Sequence, residues 1–600
     1  MTTSPPRVRG RWAARGRHTA RVGVVALATA VLAAGCTGLP RSTPVVQGQA
    51  VAGAQDAGVR IIPRGPVAGS DADDLVTDFL RQGLGADDDS SVAREYLTPR
   101  ASSQWQPDGS GWIYDGPEAL AVKVTAPGTV VVTGRVSAQL DREGHYSELP
   151  PGQTRSLTLR LVKVGDQWRI DGGLDGQHTV WISRADFGLY ASYPITYVTP
   201  DDTAVTDRRW FLQGPGLVTR LARAQLAPPP TYLQGAVLTG VPEYTDLAHG
   251  SVSVEGGTAR VVLSSRALNA DDRNRRRMWQ QVTATLTAVG GVEAVQLEAD
   301  GARLSVPGLP DRALGAQDVD LRDAEPPTGP VLLRSSAGLE RVDPRQLTES
   351  RSRKEARADG PPLPDIGPEW YRLASSADGT EIAGLDGDDE ELARWREGRM
   401  VRVRGFARDL TRPAYDSGGY LWMAGRTDAG TRVLVQPTSD LSGRAPVAIN
   451  VPWLSDRKVI ALRPSPEGQR VLVVSEPSGG GPSTVGVAGV LRRDGRPVGL
   501  ATPITVGGGS TDVTDATWLD AETIGLVGAV DAKSDQRVVI APISGPSQVL
   551  GAVPNPTSIT TFGGSRSIVV TTRRGAALVR SGNGLVPLVS STSDFVVPGH

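Results

Sequence analysis

One thiol is available for covalent chemistry in this chain: Cys36 is the single cysteine in 600 residues. A lone sulfur excludes a disulfide framework and any metal site built from several thiolates. Its surroundings, Leu32-Ala33-Ala34-Gly35-Cys36, match the bacterial lipobox. In that motif the sulfur takes a diacylglyceryl group and the cysteine becomes the new N-terminus. Small residues at Ala33, Ala34 and Gly35 let a peptidase approach the bond to be cut. One acyl chain holds a bilayer only marginally and a second makes the anchor stable. Cys36 is therefore read as an N-palmitoyl, S-diacylglycerol cysteine.

The remaining polar residues do not assemble into a reaction centre along the sequence. His145, His178, His249 and His600 fall in different regions, unpaired at helical spacing and outside any His-Glu-x-x-His run, so they read as surface or turn residues. Ser455-Asp-Arg-Lys458 fits Ser-x-x-Lys, but it lies between strand-like runs and no Lys-Thr-Gly partner exists. Asp87-Asp88-Asp89 and Asp386-Gly-Asp-Asp-Glu-Glu391 lack the alternating ligands and central glycine of a calcium loop. Arg273-Asn-Arg-Arg-Arg277 could meet anionic head groups or wall polymers, though it also fits the exposed face of a helix opposite Met278 and Val282. Trp422, Trp453 and Trp518 could stack on sugars, yet one aromatic per repeat is more often core. No catalytic residue, metal or cofactor is expected.

The elements that position these residues begin with a leader. Arg7, Arg9, Arg11, Arg15, Arg17 and Arg21 precede an uncharged run from Val22 to Ala34, which makes residues 1–35 a secretory signal. The run is far shorter than the ~20 residues a bilayer span needs. Residues 36–68, rich in Gly, Pro, Gln and Ala, form a flexible tether. Removing the six leader arginines takes the formal charge from −1 to about −7, so no nucleic-acid partner is expected. The length implies three or four domains, and 71 glycines with 45 prolines favour turns over long helices.

Residues 69–190 read as a cystatin-like α+β cone. Asp71, Asp73 and Asp74 open a helix with Leu75, Phe79 and Leu80 on its apolar face, and a hairpin over Leu159–Ile170 turns at Gly165-Asp166. Residues 191–310 hold a helix capped by Asp271 or Asp272, with Met278, Val282, Leu286 and Val289 as its buried stripe. Tyr197, Leu212-Gln-Gly-Pro215, Val241-Pro242, Val261-Val-Leu-Ser264 and the run from Gln281 to Val295 resemble the GerMN domain, a small α+β module of spore-germination lipoproteins. Residues 325–592 repeat a strand, turn, strand pattern at Leu373–Ala383 and Leu462–Leu472, with weaker copies near Trp422, Trp518 and Ser558. The period suits a β-propeller of five or six blades, with a β-sandwich as the competing reading. The chain is thus multidomain: two α+β domains followed by an all-β propeller.

Leader, cone, GerMN domain and propeller in this order resemble the LpqB family of actinobacterial lipoproteins. The resemblance implies a membrane-anchored, extracytoplasmic, non-enzymatic protein that contacts the sensor histidine kinase MtrB of the MtrA–MtrB two-component system and tunes cell-envelope and division control. A wall-polymer-binding protein or envelope hydrolase that uses the propeller mouth is the alternative. The resemblance carries over no site residue beyond Cys36.

Overall fold

The computed structural model describes residues 64–82, 90–105, 110–174, 180–324, 329–350, 356–530 and 533–599. The leader, the motif Leu32–Cys36, Asp87–Asp89, His178 and His600 lie outside the described residues. No helix among those described is long and apolar enough to cross a membrane.

In the first domain, helix Ala72–Gln82 carries Asp73 and Asp74 in its first turn, where negative charge suits the helix dipole. Its apolar side, Leu75, Val76, Phe79 and Leu80, packs on Val130, Val132, Leu159, Leu161 and Ile170 of a curved sheet. The sheet is organised by the 12-residue strand Thr129–Leu140, along which every second residue is buried and the others are half-buried or, at Arg135, exposed. Its first half pairs with Leu120–Ala126 and Thr154–Val164, and its second half with Gly111–Tyr114 and Tyr146–Glu148. The hairpin at Gly165-Asp166 is present, with Val164 opposite Gln167. A helix over Pro99–Gln104, capped by the Thr98 side chain, has too few apolar residues to show in the sequence pattern.

The second domain starts with a two-stranded ribbon, Tyr190–Val198 against Ala204–Leu212. Helix Leu217–Leu226 packs against this ribbon and against helix Asp272–Leu286, which itself packs on the ribbon and on a four-stranded sheet. Strands Thr258–Leu263 and Ala294–Ala299 run parallel, so the chain between them needs the crossover that the second helix supplies. Asp271 is the cap and accepts a hydrogen bond from the Asn274 N–H. Met278, Val282 and Leu286 are buried as expected, whereas Val289 lies beyond the helix end and only packs against the core. Core residues continue to Leu314 and Val319.

The run Arg273-Asn-Arg-Arg-Arg277 is not a free basic face. Arg277 is buried and pairs with Asp202 at 3.2 Å. Arg273, Arg275 and Arg276 donate to the carbonyls of Pro200, Ala270 and Pro307, so the run staples loops to the helix.

Among the described residues the third domain holds six sheets. The first joins Val331–Ser335 and Gly338–Val342 to the chain's last strand, Asp594–Val596. The second spans Tyr371–Ser375 to Arg399–Val403, the third Ala414–Tyr415 to Val447–Ile449, and the fourth Arg457–Pro464 to Ile504–Val506. The fifth spans Asp512–Trp518 to Gln548–Ala552, and the sixth Pro556–Thr561 to Gly584–Val589. Apolar clusters fill each gap between successive sheets, and one containing Phe562, Val569, Leu333 and Phe595 closes the sixth onto the first. This closed ring is a propeller, since each sheet buries its faces against its neighbours. Trp422 and Trp518 lie in those gaps and are buried, so neither offers a ring to a sugar.

Candidate functional site

The three domains meet at the tip of one hairpin in the first domain. The turn between Thr129–Leu140 and Tyr146–Glu148 is tight because the Asp141 carboxylate accepts the N–H groups of Glu143 and His145. Gly144 sits at φ +88°, and its carbonyl accepts the Trp210 N–H at 2.7 Å. That contact aims His145 at the ribbon of the second domain.

His145 is 4% exposed and lies between carboxylates from two domains. Its Nδ1 contacts Asp141 at 2.9 Å, and its Nε2 contacts Asp207 at 2.9 Å. Asp207, 1% exposed, also accepts from Arg209 Nε at 2.6 Å and from the Tyr232 hydroxyl at 2.8 Å. Arg209 donates further to the Tyr197 hydroxyl. Strand alternation places Asp207 and Arg209 on one side of the ribbon, toward the hairpin.

Both imidazole nitrogens face carboxylates, so the ring serves as a doubly donating cation. Burial works against that charge, but Asp207 and Asp141 outweigh it and push His145 up to about 10. Burial likewise opposes ionisation of Asp207, yet His145 and Arg209 hold it well below the usual carboxylate range. Burial and the Asp207 charge keep the Tyr232 phenol neutral.

The propeller meets this cluster from the other side. The Gly489 N–H donates to the Tyr232 carbonyl at 2.7 Å. Arg470, 0% exposed, donates to Glu467 at 2.7 Å, to the Thr206 carbonyl and to the Ala521 carbonyl, and lies over the Trp518 ring. Arg208 pairs with Glu522 at 2.7 Å. Ser544 accepts from Tyr146 N–H through its hydroxyl and from Trp210 Nε1 through its carbonyl. Glu148 accepts from both the amide and the hydroxyl of Ser547.

A cavity of about 330 Å³ opens at this seam, lined by Asp141, Glu143 and His145, by Thr231 and Tyr232, and by Thr502 to Ile504. Asp141, Glu143 and His145 offer ligand atoms within 4.8 Å of one another. A metal would have to displace the Nδ1 proton, which the flanking carboxylates hold firmly, so the cluster reads as an ion pair.

His145 therefore corrects the expectation of a surface histidine. Its local signal was Asp141-x-Glu143-x-His145, an alternation of titratable groups across a turn. Its decisive partner, Asp207, is 62 residues away. His249 is exposed, as expected. Ser455 closes a short 3-10 turn, and Lys458 lies on a strand paired with Glu476, so they form no nucleophile site. Asp386 caps its own turn by accepting from Glu390 and Glu391, while Glu391 pairs with Arg402. At the propeller centre Arg412 pairs with Asp594 and Arg463 with Asp515, around a cavity of about 20 Å³ that has room for about one water.

Fold and seam define a three-domain propeller protein whose second domain and propeller share an apolar core and whose first domain meets them through the buried His145–Asp207 pair. Family models match all three parts: "Lipoprotein LpqB, N-terminal domain" over residues 65–188, "Sporulation and spore germination" over 193–305, and "Lipoprotein LpqB beta-propeller domain" over 354–589. Lipoprotein LpqB of Cutibacterium acnes is 26% identical over 531 residues, covering 84% of this chain and 86% of the relative. Lipoprotein LpqB of Thermobifida fusca is 26% identical over 585 residues, covering 87% and 90%. The chain belongs to the LpqB lipoprotein family. Among solved structures, the tandem GerMN domains of GerM from Bacillus subtilis match at 18% identity, with a TM-score of 0.17, over 26% of this chain and 59% of that one. TolB from Acinetobacter baumannii matches at 16% identity, with a TM-score of 0.32, over 45% and 66%. Likenesses this distant add nothing to the assignment.

Proposed function

We propose that this protein is a lipid-anchored, extracytoplasmic accessory of a sensor histidine kinase of the MtrB type, acting by binding rather than by catalysis. In this reading the leader exports the chain, Cys36 is acylated, and a face of the three-domain body contacts the kinase's sensor domain and biases its signalling equilibrium. The anchor motif supports it, because confinement to the kinase's own membrane raises effective concentration and lets a weak complex form. The carrying observation is the seam: His145–Asp207 and Arg208–Glu522 join domains into a broad platform, which suits a partner-binding protein. The propeller centre weighs against a hydrolase, since Asp515 and Asp594 are each tied to an arginine.

The test reconstitutes the full-length acylated chain in vesicles with the sensor kinase and measures kinase autophosphorylation against protein density. A saturable change in phosphorylation, lost when the protein is omitted, is the expected result. An unchanged rate at saturating density would overturn the reading and move attention to wall polymers.

A further inference from the structure

We propose that His145 is a latch: the second domain and the propeller form one permanent body, and the first domain is held to it through the cationic imidazole at its hairpin tip.

The contrast between the two interfaces carries this. The second domain and the fourth and fifth sheets share one continuous apolar cluster, in which Tyr232, Leu233 and Val237 belong with Leu472, Val487 and Trp518. Burial on that scale does not reverse under mild conditions. The first domain keeps its own clusters, one around Phe79 and Val132, the other around Ile113 and Leu140. Its second cluster touches the rest, among the described residues, through the partly buried Tyr190 and Trp210. Otherwise its attachment is polar and centred on the hairpin tip: His145, held by Asp141, toward Asp207, Gly144 toward Trp210, Tyr146 toward Ser544, and Glu148 toward Ser547.

The latch depends on charge because of what faces the ring. Its own hairpin brings Asp141 and Glu143, with Arg142 lining the same cavity; the ribbon brings Asp207 and Arg209; the next loop brings the Tyr232 hydroxyl. The propeller segment Thr502 to Ile504 adds no titratable group, and Arg470 lies beyond Tyr232. A neutral ring can donate from only one nitrogen, which leaves the lone pair of the other facing a carboxylate with no proton between them.

The experiment is amide hydrogen exchange on the full chain, wild type and His145→Gln. The latch predicts at least about tenfold loss of protection at the Tyr146 and Trp210 amides, with Val130–Val132 in the first domain and Val471–Val474 in the propeller as protected as before. Wild type raised above pH 10, corrected for intrinsic exchange, should show the same pattern, which keeps the test open should the variant fold poorly. Unchanged protection at Tyr146 and Trp210 in both arms, or loss spread evenly through the first domain, would overturn the proposal.

Discussion

The imidazole Nε2 of His145 lies 2.9 Å from the carboxylate of Asp207, across the boundary between two domains. The pair is nearly without solvent contact, and Asp207 is at the same time bound by Arg209 and Tyr232.

This pair sets a pH dependence. Folded His145 titrates near 10 against 6.5 for the free side chain, so the folded state binds the proton more tightly. Its stabilisation is complete below pH 6.5 and is lost as pH rises through about 10, with a slope of up to ~1.4 kcal/mol per pH unit. Asp207 and Asp141 are shifted down, so their share is complete above pH 4 and is lost only below the usual carboxylate range. Urea midpoints from pH 5 to 10.5 should hold steady to about 6.5 and then fall in wild type, with a shallower fall in His145→Gln. Parallel profiles would remove His145 as the source.

Gly489 is where the propeller accepts the second domain. A Cβ there would lie 2.6 Å from the Tyr232 carbonyl and 2.6 Å from the Ala236 methyl. Gly489→Val should cost about 1–3 kcal/mol by overpacking this contact. Thermal melts should lose a single transition and show the second domain and propeller apart; a melt like wild type would mean the seam can shift.

The second blade carries a buried ion pair. Arg394, 0% exposed, donates from Nε and Nη2 to the two oxygens of Glu381, which also accepts from Tyr415. Arg394→Met leaves that buried carboxylate with only Arg396, at 3.8 Å, as a cation and should cost about 3 kcal/mol in chemical denaturation. A cost under about 1 kcal/mol would show that water reaches Glu381.

Ring closure rests on the last strand. Phe595 is 2% exposed and packs near Phe562 of the sixth sheet. Phe595→Ala should cost about 3–5 kcal/mol, and ending the chain at Ser593 should abolish the propeller's cooperative melt. Retention of that melt in the shortened chain would show closure to be dispensable.

Cys36→Ala tests the anchor on which the proposed function depends. The altered protein should leave the membrane fraction and appear in the medium, with kinase signalling blunted. Normal signalling by released protein would argue against local concentration as the mechanism.

Local chemistry was readable wherever a residue's neighbours in sequence are also its neighbours in space. Gly165-Asp166 turns a hairpin because the strands on either side are adjacent in the chain. Met278, Val282 and Leu286 line one face because a helix repeats every 3.6 residues. The repeated strand pairs of the propeller are visible for the same reason. The exceptions are polar residues whose partners come from another domain.

By itself the sequence determined the order of the domains, the periodic core of each and the turns that close their hairpins, since all of these follow from short-range spacing. Only the tertiary structure decided that His145 is a buried cation, that Arg273, Arg275 and Arg276 hold loops, and that Asp594–Val596 completes a sheet begun at Val331. Coulombic and hydrogen-bond energies depend on distance through space. Asp207 becomes the partner of His145 only when two domains fold against each other, and no spacing along the chain encodes that 2.9 Å.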